Sequence, residues 1–345
     1  MRDMFTQVEE QEELLSSLPE HWFPAQNWSM RIGTGGMNNT TRFVVVDGIT
    51  YVLRVYETHR DLAKIKYEHA VLRALSHQKL PFRLPVPLEL PDGGTVVRTA
   101  DGQGKLAALF TYTDGCNPTW TSLGQLQQFG ETVAQLSQAL ASIEVALQPV
   151  YPPYYEIEHI HPRCTPEAID AFCTSPPEAF ASLRSTLMYI HERFLSFYQE
   201  VPHLKGLPHQ LVHGDINGSN MLVHPDGRIA AVLDFEFVTK DVRVMELAVC
   251  LSDLIDPALP ADEIWRKCAA FYKGYSQYMT LQADELRLLP ILIELRRLDV
   301  FVHFLGRYLD GVDDPNVLTG MIRSTAAKVQ WLAEQGGALG QVLQS

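Results

Sequence analysis

The segment that most restricts how this chain can fold is LVHGDINGSNMLVHPDGRIAAVLDFEF, which runs from residue 211 to residue 237. Its two apolar runs, MLVH and RIAAVLDF, have the composition of β-strands, and the Pro-Asp-Gly sequence at 225–227 favours a tight turn between them. If the last two of these residues form the loop, the register places Asn220 opposite Leu233 and next to Asp234. The open end of one hairpin is therefore expected to carry a carboxamide and a carboxylate.

Asn220 and Asp234 predict a metal site at that end of the hairpin. Amide and carboxylate oxygens are hard ligands of the kind that Mg²⁺ takes, with waters and substrate phosphates completing its octahedron. Asp215 lies five residues before Asn220, where a carboxylate can accept the proton of a hydroxyl or orient that hydroxyl for attack. These three residues predict a metal-dependent reaction on a phosphate-bearing substrate, with Asp215 as the catalytic residue.

Length and charge limit the classes of protein. A chain of 345 residues is long for one hydrophobic core, so two domains are expected. The net charge of -13 argues against nucleic-acid binding as the main task and disfavours an anionic membrane surface. The five cysteines form no CxxC pair, and neither a secretory leader nor an apolar membrane segment is recognisable. We therefore expect a cytoplasmic protein.

The first part of the chain has the pattern of a small antiparallel sheet. After a short polar helix at 7–18, the runs FVVV and TYVLRVY flank Asp47–Gly48, a strong hairpin signal. LAKIKYEHAVLRALSHQ then has helical periodicity. A further strand pair is expected around Gly93–Gly94, with KLAALFTYT as the last strand. These elements predict an N-terminal lobe over residues 1–112.

The remainder, residues 113–345, is predicted to be a larger and mainly helical lobe that carries the catalytic loop and the acceptor site. Helical patterns occupy 121–147, 178–200, 262–279 and 283–309. The Pro- and Tyr-rich stretch at 150–162 is expected to be a long surface loop. The charged residues of the last pattern are interpreted as a solvated helix face; they are Glu294, Arg296, Arg297 and Asp299. The fold class is therefore α+β.

The polar motifs resemble a known superfamily. His213-Gly214-Asp215, followed by Asn220 and then by the DFE sequence at 234–236, resembles the catalytic and metal motifs of the aminoglycoside phosphotransferase and choline kinase superfamily. These enzymes are relatives of the protein kinases. Gly214 stands where protein kinases usually carry Arg, and Glu236 where they carry Gly, which favours the small-molecule branch. The resemblance implies a bilobal protein-kinase-like fold that uses ATP and Mg²⁺.

The resemblance also assigns an ATP site in the first lobe. GTGGMNN, which begins at Gly33, resembles the loop that covers the phosphates, where glycine lets backbone amides approach phosphate oxygens. Arg54 occupies the third-strand position of the phosphate-binding cation, and Glu68 that of its acidic partner. LAALFTYTDG resembles the last strand and hinge, whose backbone contacts a purine. The implied ATP-binding residues are Gly33, Gly35, Gly36, Asn38, Arg54, Glu68, Phe110 and Tyr112.

Two further segments have implied structural roles. Arg243 and the Glu-Leu-Ala sequence at 246–248 resemble the segment that anchors the metal loop in this superfamily. His213 is interpreted as a loop histidine that braces the backbone and not as a proton carrier.

The arrangement as a whole is most similar to homoserine kinase type II and to the bacterial stress-response Ser/Thr kinase group. It implies a small-molecule alcohol as substrate, and the first candidate is homoserine or another amino alcohol. Choline, a methylthioribose-like sugar and an aminoglycoside are alternative candidates. A protein Ser/Thr kinase is an alternative, although residues 235–245 are too few for a typical activation loop. A non-catalytic nucleotide-binding pseudokinase is another, and the intact Asp215, Asn220 and Asp234 count against it.

Overall fold

The computed structural model describes residues 14–33, 39–57, 61–100 and 104–344. The chain divides into two compact units. The first consists of the described residues of Met1–Gly115 together with Glu144–Gln148 and Ala230–Glu236, and the second consists of Cys116–Ile143, Pro149–Ile229 and Phe237–Ser345. The expected division at residue 112 stays a prediction.

The first unit contains a five-stranded antiparallel sheet with one long helix. Its strands follow the spatial order β1-β2-β3-β5-β4, and all of the recorded pairings are antiparallel. The strands are β1 (Trp28–Ile32), β2 (Asn39–Val46), β3 (Ile49–Tyr56), β4 (Val97–Arg98) and β5 (Leu106–Thr111), and helix α1 is Leu62–Ser76. Asp61 caps α1 by accepting a hydrogen bond from the backbone N–H of Ala63.

The predicted hairpin at Asp47–Gly48 is confirmed. Val46 pairs with Ile49, and the two residues between them have φ of 49° and 80°, the left-handed pair that a two-residue turn of this twist requires. The predicted last strand, KLAALFTYT, is confirmed as β5, but the position expected for its partner around Gly93–Gly94 is wrong. Leu90 and Gly94 close a turn there with a hydrogen bond of 2.7 Å, and the strand that pairs with β5 begins only at Val97.

The second unit is mainly helical. Its helices are α2 (Leu123–Ser142), α3 (Pro166–Thr174), α4 (Arg184–Leu204), α5 (Met245–Leu254), α6 (Ala261–Tyr275), α7 (Ala283–Leu309), α8 (Pro315–Gln335) and α9 (Leu339–Gln344). The four predicted helical patterns correspond to α2, α4, α6 and α7. Helix α8 was missed, although Asp314 caps it and a proline stands in its first turn.

Short strands position the polar motifs. They are β6 (His209–Val212), β7 (Met221–Val223), β8 (Ile229–Val232) and β9 (Thr239–Val242). The predicted turn between β7 and β8 is confirmed, because the N–H of Gly227 donates to the carbonyl of His224 at 2.8 Å. Strand β9, which pairs antiparallel with β6, was not predicted. No helix among the described residues is long and apolar enough to cross a membrane.

Candidate active site

Arg54 is the centre of a charged cluster in the first unit. It lies on β3, and its Nη1 is 3.4 Å from Glu68 Oε1 on α1 and 3.3 Å from Asp234 Oδ1. The predicted pairing of Arg54 with Glu68 therefore has the required contact. Burial raises the pKa of Glu68 to about 7, with the charge of Arg54 opposing the shift and that of Asp234 adding to it. One guanidinium thus serves two carboxylates, and it stays charged.

Aromatic rings on β5 and beside it support this cluster. The guanidinium carbon of Arg54 lies 5.3 Å from the centroid of the Phe110 ring, within the range of a cation-π contact. Phe110 is buried at 2% exposure, and the ring of His69 packs edge-on against the Phe110 ring with 5.2 Å between the ring centroids. Tyr112 follows the last residue of β5 and packs edge-on against Phe43 at 5.4 Å. Phe110 therefore supports Arg54 with its ring, and purine contact by its backbone stays a prediction.

The predicted phosphate loop is only partly described. Gly33 donates its N–H to the carbonyl of Thr41 at 3.2 Å, and a Cβ at Gly33 would lie 3.0 Å from the Thr41 side chain. A glycine at this position therefore lets the chain pass close to β2. Gly35, Gly36 and Asn38 lie outside the described residues, so their phosphate-binding role stays a prediction.

Asp215 lies in the second unit on the loop between β6 and β7, where Asn220 holds it. The side-chain NH₂ of Asn220 donates to the backbone carbonyl of Asp215 at 2.8 Å and to its Oδ2 at 2.9 Å. Asn217 adds a hydrogen bond of 3.1 Å to the same carbonyl. The five-residue spacing noted in the sequence is therefore the length of a loop that folds back on the carboxylate.

The backbone before Asp215 is held from three sides. His213 is fully buried; its N–H donates to Glu246 Oε2 at 2.6 Å, and its Nδ1 accepts from the N–H of Asp215 at 3.2 Å. Gly214 has φ of 82°, a conformation that favours glycine, and its carbonyl accepts from the hydroxyl of Tyr154. The bracing role expected of His213 agrees with these contacts. Glu246, on α5, therefore anchors the loop that carries Asp215.

Arg296 makes the second contact to the Asp215 carboxylate. Its Nη2 donates to Asp215 Oδ1, while its Nη1 donates to Asp299 Oδ2 at 2.9 Å and to the Tyr154 hydroxyl at 3.0 Å. The side chains of Arg296 and Asp215 are 15% and 17% exposed, so the pair is largely shielded from water. The interpretation of these α7 residues as a solvated face is wrong. Both oxygens of Asp215 have a donor, which fixes the plane of its carboxylate.

Buried acids surround this network. Burial raises the pKa of Asp299 to about 6, with Arg296 opposing the shift. Burial also raises the pKa of Asp241 to about 7, although Asp241 accepts from the backbone N–H groups of Tyr154 and Val242, both at 2.6 Å. Burial lowers the pKa of Arg296, but Tyr154, Asp215 and Asp299 raise it by more, so Arg296 keeps its charge. The stretch at 150–162 is therefore no surface loop, since Tyr154 inserts between the catalytic loop and α7.

The predicted metal ligands have oxygens with no competing hydrogen bond. The NH₂ of Asn220 makes the contacts to Asp215, and its Oδ1 accepts no hydrogen bond from the described part of the chain. Among the residues that the structure describes, Asp234 Oδ1 is buried without a hydrogen bond and contacts Arg54 at 3.3 Å. Asp234 also has φ of 66°, a left-handed conformation that Asp tolerates and that is frequent at functional sites. Each of the two oxygens is of the kind that a hard cation such as Mg²⁺ takes, and the roles of Asn220 and Asp234 as metal ligands stay a prediction.

Comparison with known proteins supports the superfamily. The model of the phosphotransferase enzyme family matches residues 30–281, which is most of the chain and includes Arg54, Asp215 and Asp234. The chain belongs to the phosphotransferase enzyme family. The suspected superfamily is thereby confirmed.

Several homoserine kinases are similar to this chain in sequence. The homoserine kinase of Methylocella silvestris is 23% identical over 289 residues, covering 84% of this chain and 83% of that protein. The homoserine kinase of Paramagnetospirillum magneticum is 25% identical over 274 residues, covering 74% of each. Both alignments span most of the two proteins.

Solved structures show that this phosphotransferase has the predicted fold. An amicoumacin kinase bound to AMP-PNP and Ca²⁺ has a TM-score of 0.69 at 18% identity, covering 97% of this chain and 96% of that one. A microcompartment-associated aminopropanol kinase has a TM-score of 0.66 at 19% identity, covering 96% and 98%. The predicted α+β kinase-like fold is confirmed.

Proposed function

We propose that this protein transfers the γ-phosphoryl group of ATP to a hydroxyl of a small molecule, with Mg²⁺ as cofactor. The observation that carries the proposal is the Asp215 carboxylate, which Asn220 and Arg296 hold from opposite oxygens on a braced loop. An oriented, largely shielded carboxylate is what the attacking hydroxyl needs as proton acceptor. The family assignment supports the reaction type independently.

Each residue of the site would have a separate role in the reaction. Asp215 takes the proton of the acceptor hydroxyl, whose oxygen forms the new bond to the γ-phosphorus while the bond to the β,γ-bridging oxygen breaks and ADP leaves. Arg54 offsets the charge of the phosphates, and Glu68 and Phe110 hold its guanidinium. Mg²⁺, when bound by Asn220 and Asp234, would neutralise phosphate charge.

The proposed acceptor is an amino alcohol, with homoserine as the first candidate. The support is the series of homoserine kinases that align over most of this chain, together with the aminopropanol kinase of similar fold. Homoserine and aminopropanol share an amine and a hydroxyl. We propose a cytoplasmic location, which agrees with five cysteines that form no disulfide.

A protein kinase is disfavoured by the segment that follows Asp234. A typical activation loop needs a long stretch before the anchoring helix, but here β9 occupies Thr239–Val242 and pairs with β6, and α5 begins at Met245. The chain between the two motifs is therefore ordered as a strand and has no room for such a loop.

The test is Mg²⁺-dependent ATP turnover by the full chain against a panel of homoserine, 3-aminopropan-1-ol, choline, methylthioribose and an aminoglycoside. Asp215→Asn keeps the shape of the side chain but removes the proton acceptor, so kcat should fall by roughly 10² to 10⁴ while ATP still binds. Asp234→Asn should weaken the Mg²⁺ dependence of nucleotide binding.

Asp226→Asn provides a matched control, because Asp226 is an exposed acid in the turn between β7 and β8. It should leave turnover unchanged. Acceptor-stimulated turnover that survives Asp215→Asn at the wild-type rate, or a wild-type protein that binds ATP without phosphorylating any acceptor, would contradict the proposed function.

A further inference from the structure

The consecutive residues Arg296 and Arg297 on α7 differ in their hydrogen-bond and ion-pair partners. Arg296 donates to Asp215, Asp299 and Tyr154. The side chain of Arg297 forms no hydrogen bond and no ion pair with any residue in 14–33, 39–57, 61–100 or 104–344, and its Nε is buried without a partner. A half-buried guanidinium without acceptors is unfavourable. Its buried Nε–H therefore favours a ligand that supplies an oxygen there.

Lys328 lies close to Arg297 beside the catalytic loop. The hydroxyl of Thr325, one turn before Lys328 on α8, donates to the Arg297 carbonyl at 3.4 Å. Lys328 Nζ donates to the carbonyl of Ser252 at 3.1 Å. The next residue, Asp253, accepts from the N–H of Gly218 at 3.2 Å. Gly218 is three residues after Asp215, so these contacts place Lys328 near the loop that carries the proposed base, and Arg297 is the residue that follows Arg296, which contacts that base.

The acids in this region already have other partners. Asp299 accepts from Arg296, and Asp253 accepts from a backbone N–H group of the loop. Burial and the charge of Arg296 lower the pKa of Arg297 to about 10, although the charges of Asp253 and Asp299 oppose the shift. Burial and the charge of Arg297 lower the pKa of Lys328 to about 8. The two cations thus repel each other, and an anion placed between them would relieve that repulsion.

We propose that Arg297 and Lys328 bind a carboxylate of the acceptor, so that the enzyme prefers an amino-acid alcohol over the same amino alcohol without the acid. Arginine offers a planar fork that matches a carboxylate with two parallel hydrogen bonds, and lysine adds a point charge. This inference rests on the proposed function and names the substrate class of the same site.

The experiment compares homoserine with 3-aminopropan-1-ol, which has the same hydroxyl, chain and amine but no carboxylate. The quantity measured is the ratio of kcat/KM for the two acceptors, at saturating ATP and Mg²⁺. The wild-type protein should favour homoserine. Arg297→Gln should lower the ratio by about 10²-fold and Lys328→Gln by about tenfold, because each removes a charge-assisted hydrogen bond.

Arg287→Gln is the matched control on the same helix, since Arg287 is exposed and its ion-pair partner in the described part of the chain is Asp284 at 3.3 Å. It should leave the ratio unchanged. Thermal melting checks that each variant is folded, and Lys328→Gln carries the test if Arg297→Gln does not fold.

Several results would overturn the inference while the proposed function stands. They are a wild-type preference for 3-aminopropan-1-ol, phosphorylation of other alcohols but neither of these two, and an equal loss on both acceptors in the Arg297 and Lys328 variants. An equal loss with a raised KM for ATP would assign the cations to the nucleotide. Failure of the wild type on every alcohol would instead contradict the proposed function itself.

Discussion

Replacing Arg296 by Gln tests whether this arginine positions the proposed base. The substitution keeps a polar side chain of similar stem but removes the charge and the fork that contacts Asp215, Asp299 and Tyr154. Among the described residues, the carboxylate of Asp215 then retains the donor from Asn220 at its Oδ2 and no other. We expect the carboxylate to rotate about this single contact, which disturbs its alignment with the acceptor hydroxyl.

The contacts of Arg296 set the size of the expected loss in unfolding free energy and of the expected loss in kcat. Breaking a buried ion pair costs about 3 to 5 kcal/mol, and 15% exposure of Arg296 together with the ability of Asp299 to take up a proton reduces this to about 2 to 4 kcal/mol. Misplacing a catalytic group by about 1 Å costs roughly 10²-fold in rate, which is about 2.7 kcal/mol of activation free energy. Binding of ATP should change little.

The assay measures kcat, both KM values and urea unfolding for Arg296→Gln and for a control, Glu294→Gln. Glu294 lies on the same helix and holds Arg193 through two hydrogen bonds of 2.7 Å, so its loss should destabilise the fold to a similar extent. It has no contact with Asp215 and should leave kcat unchanged. If both variants lose stability alike and both keep the wild-type kcat, Arg296 does not position the base.

Two further substitutions test the support of the catalytic loop. Gly214→Ala places a Cβ on a residue with φ of 82°, and that Cβ lies 3.1 Å from the carbonyl oxygen of Phe237. The substitution should therefore lower the free energy of unfolding by more than about 1 kcal/mol and displace Asp215. A folded variant with the wild-type kcat would contradict this expectation. Glu246→Gln tests a pH dependence, since burial raises the pKa of Glu246 from 4.5 to about 7 in the folded protein. A raised folded pKa gives stability that is complete below pH 4.5 and is lost as the pH rises through 7, so Gln should flatten the decline between pH 5 and 8 by up to about 3 kcal/mol. Urea titrations at several pH values measure this, and parallel curves for both proteins would contradict it.

The sequence predicted those parts of the site that depend on short spacing. Asp215 and Asn220 are five residues apart, and a loop of that length brings the amide onto the carboxylate whatever surrounds it. The hairpin at Asp47–Gly48 is equally local. Arg54 and Glu68 are 14 residues apart, and the family resemblance supplied their pairing, which the contact of 3.4 Å supports.

The residues that sequence reasoning missed act over long separations. Tyr154 contacts Gly214, 60 residues away, and Arg296 contacts Asp215, 81 residues away. In the sequence, the charged run of α7 has the composition of an exposed face, and the Pro- and Tyr-rich stretch that of a loop. Burial of these polar residues follows only from the acids and hydroxyls that the fold brings to them, and periodicity does not contain that information.

The different surroundings of Arg296 and Arg297 explain why adjacent, chemically identical side chains should have different roles. Arg296 has two carboxylates within hydrogen-bonding distance, so its charge is neutralised and its fork can only hold those groups in place. Arg297 lacks such a partner in the described part of the chain, and the nearby Lys328 adds charge of the same sign. A ligand anion therefore gains much more at Arg297 than at Arg296. Binding specificity should accordingly be changed through Arg297, and the rate of the chemical step through Arg296.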